Sequence, residues 1–454
     1  MLDDPATARA AVAARLDRLP VTRAHRHLVA VVGVATFFDL YDLFLAGTVA
    51  TVLTKEFGVA KDSLDAKLIL ASAFLGAFVG AVTLGRLADR IGRRRAFLLT
   101  LGLYSLFTLL GAFSTEVWML VLCRFLAGVG IGGELPLADA YLADLLPARS
   151  RGRALAWAYT IGFCGVPAAG FLARALVPSA PLGIDGWRWL FVVGALGAVI
   201  VWLLRMRLPE SPRWLATQGR TEEAHAIVER LEAGAPQPLP EPAPVEPEPE
   251  PVAARALLRP PWRRRAVMLY VFQSLQAFGY YGFGTLVPLV LAAKGFDVVT
   301  SLAFSAFTFL GYPIGSALSI PIIERVERKW LIVGSAVGMA VFGLAFGFAT
   351  SDVAIVLLGF VYTATSNVFS NSFHTYQGEL FPTSLRATAA GSAYSLSRLA
   401  TAAMPFVLVP VLSGAGPAAM FAIVAAAMVV LVVDVAVLGP PTTGRSLEAI
   451  SARP

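Results

Sequence analysis

Charge is scarce in this chain. Asp, Glu, Lys and Arg make up only 15% of its 454 residues, against about a quarter in a typical soluble domain. Hydrophobic residues make up 57% and the mean hydropathy is +0.70, so a water-soluble globular protein is excluded. Cysteine is almost absent. Cys123 and Cys164 both fall in apolar runs, which excludes a disulfide framework and leaves close packing as their role. No metal-ligand cluster, nucleophile–base pair or phosphate-cradling loop occurs, so no enzymatic activity, metal or cofactor is read from the chain. The first segment, MLDDPATARAAVAARLDRLP, is charged and weakly amphipathic. It has no apolar core of the kind a cleavable signal peptide needs.

What is present is a series of apolar blocks, each ~20 residues long, which matches a hydrocarbon slab of ~30 Å at about 1.5 Å per helical residue. They lack the alternation of a membrane β-barrel, and only helices otherwise satisfy their backbone in lipid. The blocks predict an all-α polytopic membrane protein with twelve transmembrane helices, at roughly 28–52, 67–88, 94–114, 117–145, 152–176, 187–206, 266–293, 299–323, 330–350, 353–376, 387–411 and 416–439. Of the 37 Lys and Arg residues, five (Lys55, Lys61, Lys67, Arg188, Lys294) then fall on the side away from the termini. Three more lie within spans, leaving 29 on the terminal side. The positive-inside rule makes that side cytoplasmic. The net charge of +7 reflects this bias and does not call for a nucleic-acid partner.

The chain repeats itself at an offset of 235 residues. Tyr141, Asp144, Pro147 and Arg151 return as Tyr376, Glu379, Pro382 and Arg386. Asp89-Arg90 falls on Glu324-Arg325. Two motifs sharing one offset argue for two equivalent halves with a substrate path between them. The predicted organisation is a cytoplasmic tail (1–27), a six-helix bundle (28–206), a cytoplasmic loop (207–265), a second six-helix bundle (266–440) and a cytoplasmic tail (441–454). Within the loop, TEEAHAIVERLEA reads as a short helix with Thr221 as N-cap, and PQPLPEPAPVEPEPEP as an extended linker. The glycines at 128, 130, 132 and 133, and those of GAFVGAVTLG from Gly76, predict close helix packing.

Ionisable residues deep in the slab cost several kcal/mol and each asks for a partner or a role. Asp39 and Asp42 share one face of the first span, about 4.5 Å apart along its axis. Mutual repulsion and burial favour protonation of at least one, as a proton carrier requires, while two permanent ion pairs would be the structural alternative. Arg124 in the fourth span falls near the depth of Asp42. Glu134 and Asp139, further along it, either accept protons or pair with arginines of the 85–95 loop. Arg398 lies near the middle of the eleventh span with no acidic residue deep in its bundle, so a substrate carboxylate is a natural bidentate partner and backbone carbonyls or water the alternative. Gln273, Gln276, Tyr280 and Tyr281 in the seventh span and Asn367 and Asn371 in the tenth have the hydrogen-bonding groups of a polar site. They serve equally as interhelical links. Phe38 and Tyr41 are further candidates for contact with a substrate ring.

The loop GRLADRIGRRR, with Gly85, Asp89, Arg90, Gly92 and Arg93, resembles the signature of the major facilitator superfamily, and the likeness runs through nearly the whole chain. It implies the major facilitator fold, two pseudo-symmetric six-helix bundles alternating access to a central site. It also implies a cytoplasmic gate formed by the signature loop, Asp144 and Arg151, and their weaker echoes Glu324, Arg325, Glu379 and Arg386. PESPRWL is similar to sugar-porter and organic-ion branches, whose proton site and its fourth-span partner align with Asp42 and Arg124. The Asp39/Asp42 pair resembles the aromatic acid:proton symporters. GGELP, ELFPTSLRA and Ser397-Arg398 resemble niacin-type transporters. The expectation is a monomeric proton-coupled symporter of a small aromatic or heterocyclic carboxylate in the bacterial inner membrane, with the proton as its only coupling ion. A sugar or polyol porter, or a drug or metabolite exporter of the same fold, is the alternative.

Overall fold

The computed structural model describes residues 5–242, 254–260, 262–323, 325–381 and 383–442. Most of the Pro/Glu linker, Glu324, Pro382 and residues 443–454 lie outside them. α1 (Pro5–Asp17) precedes α2 (Arg23–Thr48), short α3 (Ala50–Glu56), α4 (Leu64–Ile91), α5 (Arg93–Ala112) and α6 (Val117–Leu145). The fifth crossing is α7 (Ala148–Phe163) with α8 (Gly165–Leu176), and the sixth is α9 (Gly186–Arg205). Two short helices, α10 (Pro212–Thr217) and α11 (Thr221–Ala233), lie in the loop. The seventh crossing is α12 (Arg263–Gln276) with α13 (Gly282–Ala293), and the eighth is α14 (Val298–Phe309) with α15 (Gly311–Ile322). α16 (Arg328–Phe348), α17 (Asp352–Glu379) and α18 (Thr383–Leu438) follow. Among the described residues, eleven helical stretches are long and apolar enough to cross a membrane. The last makes two crossings because it turns at Gly416, whose φ of +83° suits glycine, and the total is twelve.

The 235-residue echo is a packing repeat. A Cβ on Gly76 or Gly80 would sit 1.9 Å from the Phe125 carbonyl or 2.0 Å from that of Val129, so α4 and α6 touch backbone to backbone. In the second half, a Cβ on Gly311 or Gly315 would sit 2.3 Å from the Phe360 carbonyl or 2.1 Å from that of Ala364, each contact displaced by 235 residues. Small residues allow the approach, and dispersion over the close contact holds it. The loops repeat too. Arg93 pairs with Asp144 at 3.7 Å and Arg328 with Glu379 at 3.1 Å. The Tyr141 hydroxyl donates to the Pro209 carbonyl, and that of Tyr376 to the Pro440 carbonyl.

The bundles meet at the face away from the N-terminus. There a Cβ on Gly47 would lie 2.6 Å from the Thr285 carbonyl, one on Gly170 2.9 Å from Ala306 Cα, and Phe171 meets Phe307 edge to face. At the opposite, Arg-rich face a Cβ on Gly85, Gly152, Gly378 or Gly391 would touch nothing. The two halves pack closely at one face, while these four glycines at the other meet no neighbouring atom.

α1 docks across that basic face. Val12, Leu16 and Leu19 pack on Trp214, Leu215 and Val228 of α10 and α11, and Asp17 bridges Arg151 and Arg213. Thr221 is the first residue inside α11 and Arg220 takes the cap position, a correction of one residue. Ser211 caps α10 through the Trp214 amide.

Candidate functional site

Between α12 and α13 the helix widens into a π-helical turn over Ala277–Tyr281. Such turns often mark functional positions because the extra residue re-aims neighbouring side chains. Here Tyr280 and Tyr281 point toward α17 and α18, where they line a small cavity with Gln273, Gln276, Tyr394 and Arg398. About 30 Å³ of it is open to water centres, room for a water or two. A ring enters only when these side chains move apart.

Arg398 is 3% exposed and has no carboxylate partner among the described residues. Its Nη2 donates to the Tyr394 hydroxyl at 2.7 Å, while Nε and Nη1 find no acceptor. The guanidinium lies over the Tyr281 and Tyr394 rings, 4.8 and 4.4 Å from their centroids. Cation–π contact offsets part of the cost of burying the charge, and two donor directions remain for an incoming anion. An amide chain flanks the cation. Gln273 Nε2 donates to Gln377 Oε1 at 2.9 Å, and Gln276 Nε2 donates to Gln273 Oε1 and Ser397 Oγ at 3.1 and 2.7 Å.

Four expected substrate contacts lie elsewhere. Asn367 donates to the Tyr312 carbonyl and accepts from the Tyr280 hydroxyl, and Asn371 donates to Ser316 and Ser319. The Asn367 amide and the Asn371 amide nitrogen tie α17 to its neighbours. Tyr41 is fully buried, its hydroxyl on the Leu190 carbonyl, and Phe38 fills the space beside Gly197. The helical period turns residues 38 and 41 toward α9, inside the first bundle. On α2 it is Phe44 that reaches across, stacked on Tyr281 at 6.1 Å and tilted against Tyr312 at 5.9 Å.

The first bundle's interior is ionic. Arg124 pairs with the Asp42 carboxylate and donates to the Asp42 backbone carbonyl at 2.8 Å, all buried. Thr108 approaches the same carboxylate at 3.4 Å. Glu134 pairs with Arg205 at the end of α9 and accepts from Thr100 at 2.6 Å. That corrects the alternative pairing of Glu134 with the 85–95 loop. Arg205 is the last residue of α9 and lies at the end of the sixth predicted span. Asp139 accepts from Tyr159, whose ring stacks on His374 of the other bundle at 5.7 Å. Asp39 is 1% exposed and neither of its carboxylate oxygens has a partner.

At the basic face, Gly92 ends α4 with φ +98°, a conformation glycine adopts freely. Asp144 accepts from Ser211 at 2.7 Å besides meeting Arg93. Asp144 and Glu379 meet basic residues of their own half, Arg93 and Arg328. Arg90 and Arg325 are exposed, and Arg386 is half-buried with Nε and Nη2 unbonded. The side chain of Asp89 and all of Glu324 lie outside the described residues.

Residues 28–453 match the family described as Sugar (and other) transporter. The chain belongs to that family of major facilitator transporters, and it is a membrane transporter and not an enzyme. The niacin transporter NiaP of Acinetobacter baylyi is 30% identical over 439 residues, covering 96% of this chain and 98% of its own. The inner membrane metabolite transport protein YgcS of Escherichia coli is 30% identical over 401 residues and 87% of each chain. Among solved structures, a partially occluded inward open conformation of the E. coli xylose transporter XylE superposes with a TM-score of 0.75. It covers 93% of this chain and 99% of its own at 20% identity, a likeness of fold.

Proposed function

We propose that this transporter is a symporter coupling proton entry to uptake of a small organic anion, an aromatic or heterocyclic carboxylate. It works as a monomer in a bacterial inner membrane, with both termini cytoplasmic and the proton as its only coupling partner. One observation carries the reading: Arg398, buried among Tyr281, Tyr394 and Gln276 with two donor directions unused. A carboxylate suits the guanidinium's forked donors, and a flat ring suits the tyrosines. A relative at 30% identity is named for niacin, a pyridine carboxylate.

In the proposed cycle, substrate and proton enter while the bundles are parted at the periplasmic face. Protonation of the Asp39/Asp42 site weakens the hold of Asp42 on Arg124. Two residues on from Asp42, Phe44 stacks on Tyr281, over which Arg398 lies. A shift of α2 is thereby felt at the anion site, and the bundles rock closed over both cargoes. Parting at the basic face releases them.

Thermal-shift measurements on the purified protein with nicotinate, benzoate, a dicarboxylate and xylose test the reading. Stabilisation by carboxylates that disappears in Arg398→Ala is the expected outcome. Equal stabilisation in Arg398→Ala removes Arg398 from the site. The chain of three glutamines supports a polyol reading as the second choice, and stabilisation by xylose alone would select it.

A further inference from the structure

Three hydroxyls on one face of α5 set out a ladder inside the first bundle. Thr108 reaches Asp42, Tyr104 donates to the Phe38 carbonyl beside Asp39, and Thr100 donates to Glu134. The rungs are four residues apart, about 6 Å each along the helix. The ladder begins at the buried Asp42–Arg124 pair and ends at a second buried pair, Glu134–Arg205. Between them Asp39 has no hydrogen-bonding partner for either oxygen. The charged or titratable groups facing Asp39 are Asp42 on its own helix, Tyr104 on α5, Glu134 on α6 and Arg205 on α9. From α7, Gly162 packs against Thr36 and brings no titratable group.

The two pairs are built alike. Each arginine lies over a phenylalanine, Arg124 over Phe191 at 5.6 Å and Arg205 over Phe97 at 3.9 Å. Each also keeps donors without acceptors, Nε of Arg124 and Nε and Nη2 of Arg205. A pair built only to hold helices together would satisfy those donors. An arginine with spare donors tolerates loss and return of its carboxylate partner. Arg205 is also the last residue of α9, within one turn of the basic face, where Arg94 bonds the Met206 carbonyl.

We propose that Glu134 and Arg205 form a second proton station fed by Asp39, so that the coupling proton leaves along the interior of the first bundle and not through the substrate cavity. Neutral Asp39 passes its proton through an intervening water to the Glu134 carboxylate, becoming a carboxylate itself. Glu134, now neutral, releases Arg205 and gives the proton to water at the basic face, which restores the pair. In net, one proton moves and no other bond changes. Substrate leaves between the bundles while the proton leaves within one of them. The inference rests on the proton-coupled reading above.

The test uses the full chain in proteoliposomes with nicotinate as the transported probe, measuring accumulation driven by a pH gradient and, separately, exchange at equal pH. Glu134→Gln alone strands Arg205 as a buried charge and endangers folding. The decisive variant is therefore the uncharged pair Glu134→Gln/Arg205→Met, whose removal of both charges is tolerated in many buried pairs. Accumulation falling at least tenfold while exchange stays within about twofold of wild type is the expected result. Wild-type accumulation in the double variant overturns the relay and leaves Asp39 and Asp42 as the coupling site. Loss of exchange in a folded, monodisperse double variant also overturns it, since the pair then serves the transport movement itself. Absence of gradient-driven accumulation in wild type is a different failure: it removes the proton-coupled reading, and the relay falls with it.

Discussion

Gly76 and Gly80 in one half and Gly311 and Gly315 in the other press on equivalent turns of the neighbouring helix. One layer inward the halves part company. Asp39, Asp42 and Arg124 correspond, at the same offset, to Ser274, Ala277 and Gly359, and Glu134 corresponds to Phe369. Where the first half holds an ion pair at Glu134, the second stacks Phe369 on Phe272 at 5.2 Å. In the other direction Arg398 falls on Phe163. Positions where any Cβ collides with backbone leave no freedom to diverge. Positions facing the interior tolerate a charge only with a partner or a use, so each half could specialise there.

The largest expected effect breaks that contrast at its ionic side. Asp42→Asn strands Arg124 in the first bundle, and breaking a buried pair costs about 3–5 kcal/mol. Thermal unfolding of the purified variant should show a clear loss of stability, and Asp42→Asn/Arg124→Met should regain most of it. A double variant no more stable than the single would mean that the pair is not the interaction holding these helices. Ala277→Asn, at the corresponding place in the second half, has no such pair to break and should cost less.

A second comparison sharpens what the halves share. Gly76→Leu and Gly311→Leu should destabilise by similar amounts, about 1–3 kcal/mol or more each, since both push side-chain atoms into a carbonyl of the facing helix. Gly378→Leu, where a Cβ meets nothing, should stay within about 0.5 kcal/mol. Unequal losses at 76 and 311 in unfolding measurements would show that the backbone contacts are alike in geometry but not in energy.

These contrasts also mark how far the sequence could be read. The twelve crossings, the repeat and the all-α class follow from block length and a shared offset, signals that survive without side-chain detail. Arg124 beside Asp42 was legible as well, because depth along two antiparallel helices is a matter of counting. Rotation about a helix axis was harder. Phe38 and Tyr41 turn inward while Phe44, three residues beyond Tyr41, crosses to Tyr281, and apolar residues on every side of α2 hide which face meets which neighbour. Asn367 and Asn371 have the composition of a ligand site and the geometry of helix links. Arg205 is not legible as a partner because a basic residue at the end of a span normally snorkels, whereas here it bends inward to Glu134. Tyr394 carried a usable signal: it stands one helical turn before Arg398.

The smallest expected effect concerns a contrast at the basic face, where α1 latches onto the loop of the first half. Arg15 donates to Glu232 at 3.1 and 2.6 Å and Arg18 at 2.7 Å, and these bonds hold the Glu232 carboxyl below its usual value of 4.5. A carboxyl whose folded pKa is depressed adds stability above the unfolded pKa and loses it as pH falls through the folded one. The latch should therefore be tight at neutral pH and loosen below about pH 4.5. Partial exposure keeps the effect to about 1 kcal/mol or less. A nitroxide label at position 14, with Cys123 and Cys164 replaced, reads the motion of α1 directly. Its mobility should rise on acidification in the native background. In Glu232→Gln it should already be raised at pH 7 and change little on further acidification. An unchanged acid response in Glu232→Gln would assign the latch to the apolar contacts of Val12, Leu16 and Leu19 with α10 and α11, which pH does not touch.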